Sequence, residues 1–150
     1  MRTRMLILAL IMVCSAVVQA AGGMKTLESA HSVADTMDRL EQKVSAAGFK
    51  VFARVNHGAG AKSVNMPLRP TELLIFGNPK GGTVLLQSEQ TVGIDLPLKY
   101  LVWEDADGKV MVGWNDAAWF TQRHGINDRA PVVTKVSGAL KKFATEASKP

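Results

Sequence analysis

The chain has 150 residues, a length that suits one domain and is too short for two. Its formal net charge of +5 comes from scattered basic residues, and no basic cluster alternates with aromatic side chains. Nucleic-acid binding is therefore not indicated.

The first 20 residues have the three parts of a secretory signal peptide. Arg2 and Arg4 form a basic start, residues 5–13 are apolar, and residues 18–20 resemble a cleavage motif of the A-x-A type. The apolar stretch is shorter than the roughly 20 residues that a membrane span needs. The sequence therefore predicts an exported, periplasmic protein with one domain over residues 21–150 and no stable membrane span after cleavage.

Cys14 is the one cysteine of the chain. A lipid anchor on Cys14 is the alternative to cleavage after Ala20, although the small residue that usually precedes a lipidated cysteine is missing. Cleavage after Ala20 leaves a mature chain without a thiol, which excludes disulfides, thiolate metal sites and cysteine nucleophiles. The three histidines have no spacing typical of a metal site, so neither a metal nor another cofactor is predicted.

Apolar spacing predicts alternating strands and helices in the first half of the domain. A short edge strand over residues 24–28 precedes a helix that is capped by Ser32. The apolar residues of this helix form a single stripe: Val33, Met37, Leu40 and Val44. Alternation indicates a half-buried strand over residues 49–56, and the apolar run after Pro70 indicates a buried strand over residues 72–76.

A β-hairpin is the clearest local prediction in the second half. Strands over residues 98–105 and 109–114 flank Asp107-Gly108, a dipeptide that favours a two-residue type I′ turn. In that register the side chains of Trp103 and Trp114 are diagonal neighbours on one face of the sheet.

Two helices are predicted after the hairpin. Asp116 caps the first, and Pro131 lies in the first turn of the second. Taken together, the order of elements favours an α+β fold, a two-layer sandwich with helices packed on a mainly antiparallel sheet of about five strands.

Several unusual combinations of residues occur in one order along the chain. They are V-F-A-R-V-N-H at 51–57, L-R-P-T-E-L-L-I-F-G-N-P at 68–79, I-D-L-P-L at 94–98 and Q-R-H-G-I at 122–126. In these segments the chain resembles the domain of unknown function 302 family. The resemblance implies a compact α+β domain, often a dimer, and it implies no established activity.

The glycine-rich turn after the strand at 72–76 is a minor candidate for anion binding. Its backbone N–H groups and one cation would supply the site, which consists of Asn78, Lys80, Gly81 and Gly82. A phosphate loop would need a lysine where Thr83 stands, so a nucleotide site is not indicated. The alternative is an ordinary helix start in which Asn78 is the cap.

The main candidate for ligand binding combines aromatic and polar side chains. It consists of Asp95, Trp103, Trp114, Arg123 and His124. If the hairpin packs on the helix before His124, the indoles would wall a pocket for an anionic or carbonyl-bearing molecule. The alternative is that the indoles belong to the core and that Arg123 and Asp95 form an ion pair.

These patterns predict a binding or sensing module for a small molecule or a partner protein, without a catalytic motif. One alternative is an enzyme in which His57 or His124 exchanges protons together with Glu72 or Asp95. Another alternative is a structural domain that forms homo-oligomers, with a homodimer as the simplest case.

Overall fold

A computed structural model describes residues 18–19 and 22–150 of the chain. The predicted signal peptide and Cys14 lie outside the described residues, apart from Val18 and Gln19. The elements in chain order are β1 (Val18–Gln19), β2 (Met24–Ser29), α1 (Val33–Ala46), β3 (Lys50–Asn56), α2 (His57–Ser63), β4 (Thr71–Gly77), α3 (Pro79–Ser88), a 3₁₀ helix (Gln90–Ile94), β5 (Leu98–Glu104), β6 (Val110–Asn115), α4 (Ala117–Arg123) and α5 (Ala130–Ser148).

The strands form one antiparallel sheet with the order β1-β2-β6-β5-β4-β3. Five strands have six or seven residues each, and β1 adds a two-residue pairing at one end. This confirms the predicted α+β sandwich on an antiparallel sheet of about five strands. The strand predicted as an edge at residues 24–28 instead pairs on both sides, with β1 and β6.

The first long helix begins and ends as its sequence predicts. Ser32 accepts a hydrogen bond from the backbone N–H of Asp35, and the chain leaves the helix through Gly48 at a φ of +79°. Its apolar stripe is buried, and α1 packs with α5 on the same face of the sheet. Burial of this stripe is the main stabilisation of the helix, because propensity alone supports only marginal helices.

A chain of aromatic rings forms the centre of the core between the sheet and α5. The rings of Phe76 and Tyr100 stack with centroids 5.1 Å apart, and Trp114 meets Tyr100 edge-on at 6.0 Å. The Tyr100 hydroxyl donates a 2.6 Å hydrogen bond to the carbonyl oxygen of Leu140. Burial raises the pKa of Tyr100 well above its ordinary value.

The hairpin between β5 and β6 has a three-residue loop, and the predicted type I′ turn is wrong. The N–H of Asp105 donates to the Lys109 carbonyl at 2.8 Å, which closes the loop. The Asp105 carboxylate accepts the N–H groups of Asp107 and Lys109, both at 2.9 Å. Within this loop only Gly108 has a positive φ, +77°, whereas a type I′ turn needs a positive φ at both of its central residues.

The face of the sheet opposite α1 and α5 carries a second set of apolar side chains. Strand register places these half-buried residues together: Leu73, Ile75, Leu101, Trp103 and Met111. We call this set the open face.

Candidate functional site

Asp95 accepts hydrogen bonds from two consecutive residues at the end of α4. The Nη1 of Arg123 lies 3.2 Å from each carboxylate oxygen, and the Nε2 of His124 lies 2.7 Å from Oδ2. The side chains of Asp95 and His124 are 9% and 8% exposed, whereas that of Arg123 is 50% exposed. Three of the five residues predicted to form the main ligand site therefore lie together, bound to one another.

The other polar atoms around Asp95 also have partners. The Nδ1 of His124 lies 2.9 Å from the hydroxyl oxygen of Thr91, so both ring nitrogens are engaged. The ammonium group of Lys99 donates to the carbonyl oxygens of Asp95 at 3.2 Å and Pro97 at 2.8 Å. Burial lowers the pKa of Lys99, and the nearby Asp95 carboxylate opposes part of that effect. We call Asp95, Arg123, His124 and Thr91 the Asp95 cluster.

Trp103 and Trp114 lie on opposite faces of the sheet, so the expectation that they share one face is wrong. Trp103 pairs with Met111 and its ring lies over Gly113, whose hypothetical Cβ would meet it at 2.9 Å. Trp114 is 4% exposed within the core. The cause is the three-residue loop, because a shift of register by one residue moves every side chain to the other face.

Trp119 rather than Trp103 or Trp114 is the indole beside the Asp95 cluster. The guanidinium of Arg123 lies 5.7 Å from the centre of the Trp119 ring. Trp119 also packs onto Gly23, where a Cβ would come within 1.9 Å of the ring and where φ is +84°. Beside this contact is a small cavity of about 230 Å³, which Asp116 also lines.

The turn predicted as a minor anion site uses its backbone donors internally. The side-chain oxygen of Asn78 accepts the N–H of Lys80, and its carbonyl oxygen accepts the N–H groups of Gly81 and Gly82. Pro79, the first residue of α3, has no N–H. The turn therefore has the geometry of the alternative, a helix start capped by Asn78.

A cavity of about 560 Å³ lies where β3 ends and β4 begins, between α2, the loop that follows α2 and the start of β4. Asn56, Lys62 and Glu72 line it with polar groups. Four residues contribute apolar surface: Met66, Pro67, Leu68 and Pro70. The volume lies within the range of small-molecule sites, and the cavity is broadly open to solvent. We call this space the Glu72 cavity.

Glu72 is a nearly buried carboxylate at the wall of that cavity. Its side chain is 10% exposed, and Oε2 accepts a 2.6 Å hydrogen bond from the Nε of Arg54. Its other oxygen, Oε1, accepts from the side-chain amide of Asn56 at 3.2 Å. The side-chain oxygen of the same Asn56 caps α2 through the N–H of Ala59. One asparagine thus fixes both the helix and the carboxylate.

Arg54 connects Glu72 with the surface of α1. Its Nη1 donates to Asp38 and lies 3.8 Å from a carboxylate oxygen of Glu41. Burial disfavours the charged guanidinium, but the hydrogen bonds to Asp38 and Glu72 outweigh burial and raise the pKa of Arg54. The Arg54 guanidinium is therefore charged at neutral pH.

Of the acid–base pairs predicted from the sequence, the described residues form only the one between His124 and Asp95. His57 is the exposed first residue of α2, and in the described part of the chain no hydrogen bond or ion pair joins it to a carboxylate. Glu72 instead pairs with Arg54. Across residues 18–19 and 22–150, no three His, Cys, Asp or Glu side chains come together as a metal site would require.

The sequence interpretation missed the Glu72 cavity. The available signal was a segment with apolar residues but no period, in which Met66 and Leu68 stand beside two prolines. Met66 and Leu68 are 65% and 51% exposed. Exposed apolar residues that are grouped in one loop often mark a binding surface.

The antiparallel sheet and its helical layer define a small α+β domain. A family model described as "Domain of unknown function DUF302" matches residues 25–145, and the chain belongs to that family. This confirms the resemblance inferred from the sequence.

Relatives with curated descriptions include two proteins from Brucella. The chain is 48% identical over 126 residues to "Fluoride-specific ion channel FluC 1" of Brucella suis biovar 1, a match that covers 81% of this chain and 50% of that protein. It is equally similar to "Fluoride-specific ion channel FluC 2" of Brucella melitensis biotype 1, with 81% and 47% covered. The chain thus spans about half the length of the curated relatives that it matches.

A solved structure shares the fold. It is the crystal structure of an uncharacterized conserved DUF302 protein from Bacillus stearothermophilus, with a TM-score of 0.74 and 20% identity, covering 86% of this chain and all of that one. Among the described residues, each helix is either too short or too polar to cross a lipid bilayer.

Proposed function

We propose that this protein is a binding module for a small molecule, and that the Glu72 cavity is its binding site. The observation that carries the proposal is a cavity of about 560 Å³ whose lining combines the nearly buried Glu72 with apolar residues of one loop. Most ligand sites combine a large apolar surface with a few polar groups that orient the ligand.

The Brucella relatives are longer proteins than the segment that matches this chain. In proteins named as fluoride-specific ion channels, the segment similar to this chain makes up only about half of the length.

A thermal-shift screen with small metabolites tests the proposal. We expect at least one compound to raise the melting temperature, because a ligand that binds only the folded state stabilises it. The shift should disappear in a double variant with Met66→Ser and Leu68→Ser, which removes the apolar wall. Ile94→Ser is the matched control, since Ile94 is 72% exposed and does not line the cavity. A shift that survives in the double variant would contradict the assignment.

We also propose that the protein is exported to the periplasm, on the basis of the basic and apolar segments in residues 1–20. Mass spectrometry of the protein from a periplasmic fraction should give a chain that begins at Ala21. A lipid-modified species that disappears with Cys14→Ser would instead support the anchored alternative.

The open face supports a homodimer as the assembled form. Its five defining residues are apolar, and a two-fold symmetric contact would bring the same patch of both copies together. Light scattering after size-exclusion chromatography should show a dimer that Leu101→Glu converts to a monomer. The control is Val64→Glu, because Val64 is 62% exposed on another part of the molecule. A monomeric parent protein would rule out this assembly.

The second candidate function is acid–base catalysis at the Asp95 cluster. It is favoured by one observation: His124 connects a nearly buried carboxylate at 2.7 Å with an exposed hydroxyl, that of Thr91, at 2.9 Å. An ester such as p-nitrophenyl acetate is a suitable probe. Hydrolysis that is lost in His124→Ala and kept in His57→Ala would support catalysis, and equal rates in both variants would exclude it for this probe.

A further inference from the structure

The surroundings of Glu72 carry an excess of negative charge. Three carboxylates, those of Asp38, Glu41 and Glu72, lie within ion-pair distance of the single guanidinium of Arg54. Counted by formal charge, this group has two more negative than positive charges. Glu72 is its member in the cavity lining, where Lys62 adds one positive charge and leaves an excess of one negative charge.

Glu72 also has acceptor capacity left. An ionised carboxylate offers about four lone-pair positions. The hydrogen bonds from Arg54 and Asn56 occupy one position on each oxygen. Because both partners hold the carboxylate in place, a third donor that enters from the cavity meets an acceptor that is already oriented.

Part of the cavity lining is apolar. Met66, Pro67 and Leu68 belong to the loop between α2 and β4, and Pro70 precedes the strand that carries Glu72. This loop would lose exposed apolar surface on contact with a ligand, at roughly 25 cal/mol for each Å² that is covered.

We infer that the Glu72 cavity takes a small organic cation, an amine or a guanidine on an apolar body, with its N–H groups on Glu72. This inference rests on the proposed binding function. The charged N–H groups of the ligand donate to the remaining acceptor positions of the Glu72 carboxylate and offset the excess negative charge. The apolar body of the ligand covers Met66 and Leu68. Lys62 also lines the cavity, and its positive charge repels a bound cation and weakens its binding.

A titration followed by nuclear magnetic resonance tests the chemical class with three matched probes at pH 7: phenethylamine, phenethyl alcohol and 3-phenylpropionate. We expect phenethylamine to bind most tightly and to shift the backbone amides of Asn56, Lys62 and Thr71. Glu72→Gln should weaken its binding by at least about tenfold, the value of a hydrogen bond to a charged group. Lys62→Gln should strengthen it by about two- to fourfold, because a nearby like charge is removed.

The gain expected in Lys62→Gln keeps the test decisive if Glu72→Gln does not fold. Lys80→Gln, outside the cavity lining, is the charge-matched control and should leave binding unchanged. If the alcohol or the carboxylate binds these residues as tightly as the amine, the cation inference is overturned and the binding function stands. If none of the three binds, the cation inference fails as well, and the binding function fails only if the thermal-shift screen is also negative.

Discussion

The Asp95 cluster and the Glu72 cavity are both built around a nearly buried carboxylate and an arginine, but they differ in what remains unsatisfied. In the Asp95 cluster, the carboxylate, both ring nitrogens of His124 and the nearby lysine all have partners in the protein. In the Glu72 cavity, the carboxylate has two partners and borders a space of about 560 Å³. The Asp95 carboxylate accepts three hydrogen bonds and joins elements of structure, whereas the Glu72 carboxylate accepts two and has more capacity left for a ligand.

The largest effect that separates the two regions is expected from Asp95→Ala. The change leaves the nearly buried His124 without its acceptor. The lost ion pair with the half-exposed Arg123 costs less stability, because solvent screens it. We expect a loss of about 3 kcal/mol in the free energy of unfolding, measured with urea, and unchanged ligand binding at the Glu72 cavity. Asp128→Ala, at an ion pair whose carboxylate is 59% exposed, should cost less than about 1 kcal/mol. Equal losses in the two variants would contradict a structural role for Asp95.

A smaller loss of stability is expected from Glu72→Ala, although this change removes the proposed binding group. Arg54 keeps Asp38 and Glu41 as partners, so no unpaired charge is left behind. We expect the urea-derived free energy of unfolding to fall by about 1–2 kcal/mol, while the thermal shift caused by ligand is lost. Glu41→Ala, at the 3.8 Å contact, is the control and should change stability by less than about 0.5 kcal/mol. A loss as large as that of Asp95→Ala would erase the distinction between the two regions.

The smallest effect at neutral pH is expected from Tyr100→Phe, in the core between the two regions. Loss of the hydrogen bond to Leu140 should cost about 1 kcal/mol. The pKa of Tyr100 is raised in the folded state, so its stabilisation is complete below the unfolded pKa of about 10 and is lost as pH rises through the folded value. The stabilities of the two proteins should therefore converge above about pH 10.

Unfolding curves between about pH 8 and pH 11 measure this convergence, and subtraction of the two proteins removes the titration of groups that they share. The chain has a single tyrosine, so the absorbance of tyrosinate reports on Tyr100 alone. If the free energies of unfolding of the two proteins differ by the same amount at every pH, Tyr100 ionises equally in the folded and unfolded states, and the prediction is wrong.

The sequence predicts the fold well where local chemistry is sufficient. The stripe from Val33 to Val44 and the Ser32 cap define α1, and Asn78 with Pro79 defines the start of α3. Each of these signals lies within one turn or a few turns of helix, so no distant contact is needed to interpret it.

Two features were not predictable from the same signals. The hairpin register depends on the carboxylate of Asp105, which closes a three-residue loop that Asp107-Gly108 alone does not reveal. The Glu72 cavity depends on where the loop after α2 lies relative to β4, a tertiary relation between residues that are not periodic. The pairing of Asp95 with Arg123 was anticipated as an alternative. The contact of His124 with Thr91 and the bond from Lys99 to the Asp95 carbonyl oxygen depend on tertiary structure and were not anticipated.

The three-residue hairpin loop has a spectroscopic consequence. It places Trp103 on the open face and leaves Trp114, only 4% exposed, next to Tyr100 in the core. Each face of the sheet therefore carries its own fluorophore. Emission from Trp103 would respond to whatever covers the open face, whereas emission from Trp114 would respond to the integrity of the core, so single-tryptophan variants could follow assembly and unfolding as separate signals.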